Sequence, residues 1–176
     1  MSKPTPAPPV KLFFSVLAKE AELINETISA LSRHYGQPDY VSAMMSFDYT
    51  DYYSTEMGEN LSRRFLTMEK LIKAETLPDI KLTTNKLEDK LLKDKKRQIN
   101  IDPGYLSASH LILATGKGYS HRPYLRDGIY ADLTLIFQGG KYFSLPWTYP
   151  DYGAEKQKEM LSRIREKYLL QLKTQH

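Results

Sequence analysis

The sequence predicts an α+β protein with a ferredoxin-like βαββαβ core, additional C-terminal antiparallel strands and a C-terminal helix. Segments of strand period and of helical period follow one another in the order β-α-β-β-α-β, starting near the N-terminus. Two or three further strand patterns and one amphipathic segment come after them. The 176 residues include 41% hydrophobic and 26% charged residues, which is typical of one globular domain with its own core.

The N-terminal part of the chain predicts a leader, a strand, a helix and two further strands. Residues 1–9 carry four prolines, so we expect a disordered or extended leader before a single domain over residues 10–176. Residues 12–17 are apolar on both alternating faces, which indicates a central buried strand. A helical stripe over 21–35 predicts a helix. Residues 41–47 and 64–71 predict the two strands that follow. Alternation in the first of these strands places four residues on one face: Val41, Ala43, Met45 and Phe47.

The middle of the chain predicts a second helix and two strands. Pro78 opens the helix, although the short stretch 80–84 alternates and would also fit a strand. Residues 99–101 predict a strand that ends at Pro103-Gly104, and residues 110–115 predict the next one. One face of the predicted helix carries Ile80, Thr84, Leu87 and Leu91.

The C-terminal part predicts a hairpin and a helix. Residues 129–137 alternate between apolar and polar side chains, and Gly139-Gly140 predicts a two-residue turn into a strand over 142–145. Residues 154–172 are amphipathic with helical period. The expected core face of the first strand carries Ile129, Ala131, Leu133, Leu135 and Phe137.

Composition excludes several classes of protein. The chain has no cysteine, which rules out disulfides, thiolate metal sites and cysteine nucleophiles, and fits a cytoplasmic location. The proline-rich start does not resemble a signal peptide, and no apolar run approaches the roughly 20 residues of a membrane span. The net charge is +4, with basic and acidic residues interleaved rather than gathered on one face as in most nucleic-acid-binding proteins.

Polar residues from several predicted strands share the sheet face opposite the helices. In a ferredoxin-like sheet both helices cover one face, so the other face is solvated, covered by the C-terminal extension or used as a binding site. Residues far apart in sequence would then be neighbours. The set is Ser46, Asp48, Asn100, Asp102, Tyr130, Asp132 and Thr134.

The segment 119–124 is the best candidate for anion recognition. Arg122 offers a two-pronged hydrogen-bond donor to phosphate or carboxylate, and His121 adds a donor or a general acid–base near neutral pH. The alternative is a surface loop with a charged tip. Trp147 and Tyr149, held between two prolines, predict a stacking wall for a base or sugar ring, or else a hydrophobic plug that seats the last helix.

The acidic, tyrosine-rich segment 47–53 has two interpretations. Asp48 and Asp51, three residues apart, are suited to binding Mg²⁺ or Mn²⁺ or to acid–base chemistry. Alternatively, their oxygens cap a turn or a helix start. The four histidines lack zinc-site spacing, which argues against a structural zinc site.

Two fragments only superficially resemble nucleotide-binding motifs. Residues 114–118 contain Gly-Lys, but Leu111 and Gly118 stand where a P-loop needs Gly and Ser or Thr. Residues 85–88 read Asn-Lys-Leu-Glu, with Glu where the guanine-reading motif has Asp. Lys81, Asn85 and Glu88 form a polar helix stripe that faces either solvent or the site.

Five groups of motifs, taken together, resemble the bacterial family named domain of unknown function 4416. The resemblance extends from Lys11 to about Leu172 and implies a stand-alone bacterial cytoplasmic protein with no assigned catalytic residue. Such proteins are sometimes labelled GTP-binding, which the absence of a P-loop does not support. The motifs are Phe-Asp-Tyr-Thr-Asp-Tyr-Tyr (47–53) with Glu-Met-Gly (56–58), Asp-Ile-Lys-Leu-x-Thr-Asn-x-Leu-Glu (79–88), Asn-Ile-Asp-Pro-Gly-Tyr-Leu (100–106), Tyr-Ser-His-Arg-x-Tyr-Leu (119–125) and Leu-Pro-Trp-Thr-Tyr-Pro-Asp-Tyr (145–152).

These observations favour a pocket for an anionic small molecule, a nucleotide or a sugar phosphate, with hydrolysis or phosphoryl transfer as the reaction class if it is an enzyme. The alternatives are a non-catalytic RNA-binding module and a protein adaptor that pairs through the edge at 141–145. The candidate acid–base residues are His121, Asp48, Asp102 and Asp132. The candidate ligand-binding residues are Arg122, Arg64, Tyr53, Tyr105, Tyr124, Tyr130, Trp147 and Tyr149, and the candidate Mg²⁺ or Mn²⁺ ligands are Asp48 and Asp51.

Overall fold

The computed structural model describes residues 1–48 and 54–174, with the side chains of residues 54 and 55 left aside. Residues 1–9 form no helix or strand, and residues 1–8 are exposed. The elements follow as β1 (Val10–Ala18), α1 (Ala21–Tyr35), β2 (Pro38–Val41), β3 (Met45–Phe47), α2 (Ser54–Met57), β4 (Leu61–Ile72), α3 (Leu77–Lys90), β5 (Ile99–Leu106), β6 (His110–Thr115), β7 (Tyr124–Arg126), β8 (Ile129–Gln138), β9 (Lys141–Ser144), α4 (Pro150–Gly153) and α5 (Glu155–Thr174).

The strands of the described residues form one nine-stranded antiparallel sheet in the order β2-β4-β1-β5-β6-β8-β7. β3 lies beside β4, and β9 lies beside β8. The chain is therefore an α+β protein built on a large antiparallel sheet. The predicted helices at 21–35, from Pro78 and at 154–172 are confirmed as α1, α3 and α5. The hairpin at Gly139-Gly140 is confirmed too, with φ values of 55° and 84° that suit glycine.

The central strand β1 is buried along its whole length, as its two-sided apolar pattern predicts. β1 pairs with β4 on one side and with β5 on the other. Its even-numbered residues, such as Phe14, pack with α1 and α3 in one hydrophobic cluster. On the opposite face Phe13 packs with Leu161, Ile164 and Tyr168 of α5. The sheet is thus covered on both faces where α5 lies, which agrees with the alternative that the C-terminal extension covers the second face.

The predicted strand over 41–47 is two short strands, β2 and β3, separated at residues 42–44. At the break the Ser42 hydroxyl accepts from the Phe65 amide of β4 at 3.0 Å, in the position of a ladder carbonyl. Ser42 is buried and Val41 is exposed, so the expected face reverses at this point. In β3, Phe47 turns toward the interior and Asp48 is exposed.

The strand β5 continues through Pro103 to Leu106, so the predicted stop at Pro103-Gly104 is wrong. The amide and carbonyl of Ile101 both point away from β1. On that side they form hydrogen bonds with side chains of α3. Residues two apart in a strand point the same way, so the proline nitrogen also faces away from β1. Pro103 therefore removes no hydrogen bond from the β1–β5 ladder.

The strand β8 changes face halfway, which corrects the expected single core face. Leu133 pairs with Ile112 and Leu135 pairs with Leu111, so β8 has one extra residue there, a β-bulge. Before the bulge, Ile129 packs beside α3, whereas Leu135 after it packs beside α5. The sequence does not reveal this bulge, because apolar and polar residues go on alternating without interruption through residues 129–135.

Candidate functional site

A cleft of about 520 Å³ opens where β5 and β6 separate. These strands pair from Gly104 opposite Leu113 to Leu106 opposite Leu111, and residues 99–103 have no β6 partner in the described part of the chain. The walls come from α3, the unpaired half of β5, the end of β6 and the segment 149–152. The polar lining residues are Arg63, Lys81, Asn85, Glu88, Arg97, Asn100, Asp102, Thr115, Lys117, Arg122, Asp132, Tyr149, Asp151 and Tyr152.

Two side chains of α3 take the place of the missing strand partner. The Lys81 ammonium donates to the Ile101 carbonyl at 3.1 Å, and the Ile101 amide donates to the Glu88 carboxylate at 2.6 Å. Buried backbone groups need such partners. The backbone amide and carbonyl of Ile101 therefore both have partners although β6 does not pair with β5 at this position.

The pKa of the Glu88 carboxyl group is raised because the side chain is buried in the cleft lining. Burial raises the pKa of its carboxyl group to about 6, and the Lys81 charge and the Ile101 amide oppose that rise only in part. The Glu88 side chain thus changes charge close to neutral pH. Perturbed carboxyl groups in clefts are typical of functional sites, although structural ion pairs also perturb pKa values.

Arg63 and Asp151 form a buried ion pair in the cleft lining, joining β4 to α4. The guanidinium lies 4.2 Å from the ring centre of Phe47 and 5.6 Å from that of Tyr152. Burial raises the pKa of the Tyr152 hydroxyl well above its usual range. Within the described residues, the Arg63 Nε has no hydrogen-bond partner. This part of the cleft holds a fixed cation with an unused donor.

Arg122 lines the cleft beside Asp132 of β8 and is held there by three hydrogen bonds. Its Nε donates to Asp132 at 2.7 Å, and its two terminal nitrogens donate to the Lys117 carbonyl and the Tyr149 hydroxyl, both at 3.2 Å. A guanidinium has five N–H donors, so two remain in the described structure. Arg122 and Asp132 are both more than nine-tenths buried.

A hydrogen-bonded chain of polar residues lies along the free half of β5. Arg97 donates to the Asn100 side chain at 2.9 Å, and Asn100 donates to Asp102 at 2.7 Å. The second Asp102 oxygen is 3.7 Å from the Lys81 ammonium. Basic, acidic and amide groups therefore alternate along this wall.

Four of the predicted site residues line the cleft: Asp102, Asp132, Arg122 and Tyr149. Asn100 joins them, so residues from β5 and β8 that are distant in sequence do meet. Ser46 and Asp48 are exposed and do not line the cleft, because strand alternation turns Phe47 toward it instead. Thr134 is buried beside Asp132 but outside the lining.

His121 and Trp147 pack against each other outside the cleft lining. Their rings are stacked with centroids 4.7 Å apart, and the Trp147 indole donates to the Leu133 carbonyl at 2.8 Å. The His121 Nε2 is buried, has no hydrogen-bond partner in the described residues and lies 3.8 Å from Asp132. Trp147 is 37% exposed, and the His121 ring lies between the indole and the Asp132 region, outside the cleft lining.

The remaining predicted residues lie elsewhere. Arg64 points toward α1, where it donates to Asn25 at 3.3 Å, and lies outside the cleft lining, because neighbours in a strand alternate and Arg63 points into the cleft. Tyr105 packs beside α3 with Leu82, and the Tyr124 ring is edge-on to that of Tyr130 at the sheet edge. Asp51 and Tyr53 lie outside the described residues.

Sequence reasoning left open whether the polar stripe of α3 faces solvent or the site. Lys81, Asn85 and Glu88 were identifiable as a polar stripe at helical spacing, but the direction of that stripe depends on where β6 leaves β5. Arg63 was distinguishable from Arg64 only through the strand register. Arg97 belongs to a basic run that is typical of a solvated helix end.

Two searches of the described residues found nothing. Within 1–48 and 54–174, no three His, Asp or Glu side chains are grouped closely enough to hold a metal ion. None of the helices in that part of the chain has the length and apolar character needed to cross a membrane.

Comparison with known proteins identifies the family. No curated protein and no solved structure matches the chain at a significant level. The model of one protein family, described as a domain of unknown function, matches residues 8–168. That range includes every cleft-lining residue and all of the elements that position them. The chain therefore belongs to the domain of unknown function 4416 family.

Proposed function

We propose that the cleft between β5 and β6 binds an anionic small molecule that also carries hydroxyl groups, such as a sugar phosphate or a nucleotide. The observation that carries this proposal is the convergence of five cationic side chains from four separate parts of the chain on one cleft. These cations are Arg63, Lys81, Arg97, Lys117 and Arg122.

Charge balance in the cleft favours a small, partly neutral ligand. Four acidic side chains accompany the five cations, namely Glu88, Asp102, Asp132 and Asp151. Guanidinium groups bind phosphate through paired N–H donors, and carboxylates accept hydrogen bonds from hydroxyl groups. A ligand with one anionic group and several hydroxyls satisfies both, whereas a polyphosphate would lie against the carboxylates.

The catalytic form of the proposal is hydrolysis or phosphoryl transfer. Glu88 changes charge near neutral pH and lines the cleft beside Asp102 and Asp132, the two predicted acid–base residues found there. Arg122 and Arg63 would stabilise negative charge on a transferred group. A receptor without turnover would use the same contacts for binding alone.

Two other functions have less support. Stacking of RNA bases on the sheet would need an exposed face, and α5 covers the face opposite α1 and α3. Pairing of a partner strand with β9 has in its favour only the exposed Phe143 at that edge. Neither makes use of the cleft.

We also propose that β1 to β5 with α1 and α3 form a ferredoxin-like core. The strand order β2-β4-β1-β5 and the packing of α1 and α3 against one face support this proposal. The strands β6 to β9 and α5 would then be the extension that creates the second wall of the cleft.

A thermal-shift titration tests the proposed function. The full chain is heated with inorganic phosphate, sugar phosphates and nucleotides, with and without Mg²⁺. A ligand at 100 times its Kd adds roughly 2.7 kcal/mol, a shift of several degrees. Arg97→Ala, which removes a half-buried cation from the cleft wall, should reduce the shift.

Arg64→Ala is the matched control, because Arg64 lies outside the cleft lining and donates to Asn25 of α1. Loss of the shift in Arg97→Ala but not in Arg64→Ala supports the cleft. Absence of any shift with the wild type, or equal loss in both variants, would contradict the proposal. Release of phosphate from a stabilising ligand would distinguish an enzyme from a receptor.

A further inference from the structure

The helix α3 presents unused hydrogen-bonding groups to the cleft. Asn85 lies between Lys81 and Glu88 at spacings of four and three residues, so all three share one helical face, and all line the cleft. The Asn85 side chain is half-buried and has no hydrogen-bond partner within residues 1–48 and 54–174. Its amide therefore offers two donors and one acceptor to whatever occupies the cleft.

Glu88 retains part of its hydrogen-bonding capacity in the same position. One carboxylate oxygen accepts from the Ile101 amide, and the other has no hydrogen-bond partner in the described structure. Glu88 is 9% exposed and lines the cleft. A carboxylate oxygen accepts hydrogen bonds, so the second oxygen is available to a donor on a ligand in the cleft.

The α3 wall is suited to hydroxyl groups and unsuited to an anion. Glu88 and Asp102 both lie on this side, with the Lys81 ammonium between them and already bound to the Ile101 carbonyl. A phosphate placed here would meet two carboxylates. On the opposite wall Arg122 has two unused N–H donors, so the anionic group of a ligand has a better position there.

We propose that Asn85 and Glu88 form a subsite for the hydroxyl groups of a sugar ring, so that the cleft selects a sugar-bearing phosphate over a simple anion. The inference rests on the proposed function and specifies its ligand class. The sugar lies against α3, and its phosphate points across the cleft to Arg122. A free sugar phosphate and a nucleoside monophosphate share this chemistry.

Calorimetric titration of the full chain with inorganic phosphate, ribose 5-phosphate and adenosine monophosphate tests the subsite. We expect both sugar-bearing probes to bind at least roughly tenfold more tightly than phosphate, and Asn85→Ala to remove that advantage. Phosphate affinity should not change in this variant. The substitution removes no existing hydrogen bond and places a better helix former in α3, so the variant should fold.

Glu88→Gln is the second variant, and Lys86→Ala and Asp89→Asn are the matched controls. Both control residues are exposed on α3 next to the subsite positions, and their replacement should leave all three affinities unchanged. Glu88→Gln keeps an oxygen for the Ile101 amide and should weaken only the sugar-bearing probes. Preference for adenosine monophosphate over ribose 5-phosphate would identify a nucleotide as the ligand class.

Three results would overturn the inference. Equal wild-type affinities for phosphate and ribose 5-phosphate would remove the hydroxyl subsite while leaving the proposed anion site intact. A loss of phosphate affinity in Asn85→Ala would place the anion on the α3 wall and reverse the orientation. No binding of any probe to the wild type would contradict the proposed function and the subsite together.

Discussion

The Nε of Arg122 lies 2.7 Å from a carboxylate oxygen of Asp132, and both side chains are more than nine-tenths buried in the cleft wall. The pair joins the segment before β7 to the centre of β8. It orients the guanidinium so that its remaining donors are available at the cleft. The cleft thus depends on a buried pair whose two members must be present together.

Removing one member of the Arg122–Asp132 pair should destabilise the fold strongly. We expect Asp132→Leu to lower the free energy of unfolding by about 3–5 kcal/mol, because it leaves a buried guanidinium without its carboxylate. The double variant Arg122→Met with Asp132→Leu should recover most of that loss. Urea unfolding of the single and double variants measures the coupling. Additive losses in the double variant would mean that the two residues act independently.

The ionisation of Glu88 should make stability depend on pH in a defined direction. Its pKa is about 6 in the folded protein and 4.5 when exposed, so the folded state holds the proton more tightly. This contribution therefore lowers stability as pH rises from 4.5 to 6, by about 2 kcal/mol in total. In Glu88→Gln the contribution is absent.

Denaturant unfolding of wild type and Glu88→Gln below pH 4.5 and above pH 6 tests this sign. The variant should gain about 2 kcal/mol relative to the wild type between the two conditions. Asp89→Asn, at an exposed position, should show no such gain. A constant difference between wild type and Glu88→Gln would mean that the Glu88 carboxyl group is not perturbed.

Adjacent arginines in β4 should differ in their effect on stability. Arg63→Met leaves Asp151 buried without its cation and should cost about 3–5 kcal/mol. Arg64→Met removes one long hydrogen bond on the opposite face and should cost about 0.5 kcal/mol. Chemical unfolding of both variants provides the comparison. Similar losses would show that the assigned strand register at Arg63 is incorrect.

Gly104 should be intolerant of any side chain, because it marks the point where β5 and β6 come together. A Cβ atom there would collide with the Ile112 carbonyl oxygen and lie 2.7 Å from the Leu113 side chain. We expect Gly104→Ala to cost about 1–3 kcal/mol or more, since the backbone must move. Gly116→Ala has open space around it and should change stability by less than about 0.5 kcal/mol. Equal unfolding midpoints for the two variants would contradict the close approach.

Much of the fold is predictable from periodicity alone. The apolar pattern of β1, the stripes of α1, α3 and α5 and the Gly139-Gly140 turn each point to the observed element. The predictions fail where a single residue interrupts the regular pairing of a strand. The Ser42 hydroxyl replaces a ladder carbonyl, and the bulge in β8 reverses the face after Leu133.

The candidate site is less predictable, because its residues meet through tertiary geometry. Arg122, Asp102 and Asp132 were identifiable as polar residues beside turns or on polar strand faces. Whether the stripe with Asn85 and Glu88 faces the cleft or solvent depends on where β6 separates from β5. No local pattern in the sequence marks that separation. Histidine is a residue type that often acts in catalysis, yet the His121 ring packs on Trp147 outside the cleft lining.

The most direct test of the central claim is an NMR titration of the isotopically labelled chain with ribose 5-phosphate. If the cleft is the binding site, the largest amide shift changes will come from residues around it, such as Ile101, Asp102, Lys117 and Arg122. Amides of α1 and of the exposed face of α5 should not move. Saturable shifts confined to the cleft would support the account, and no shifts, or shifts centred on another surface, would contradict it.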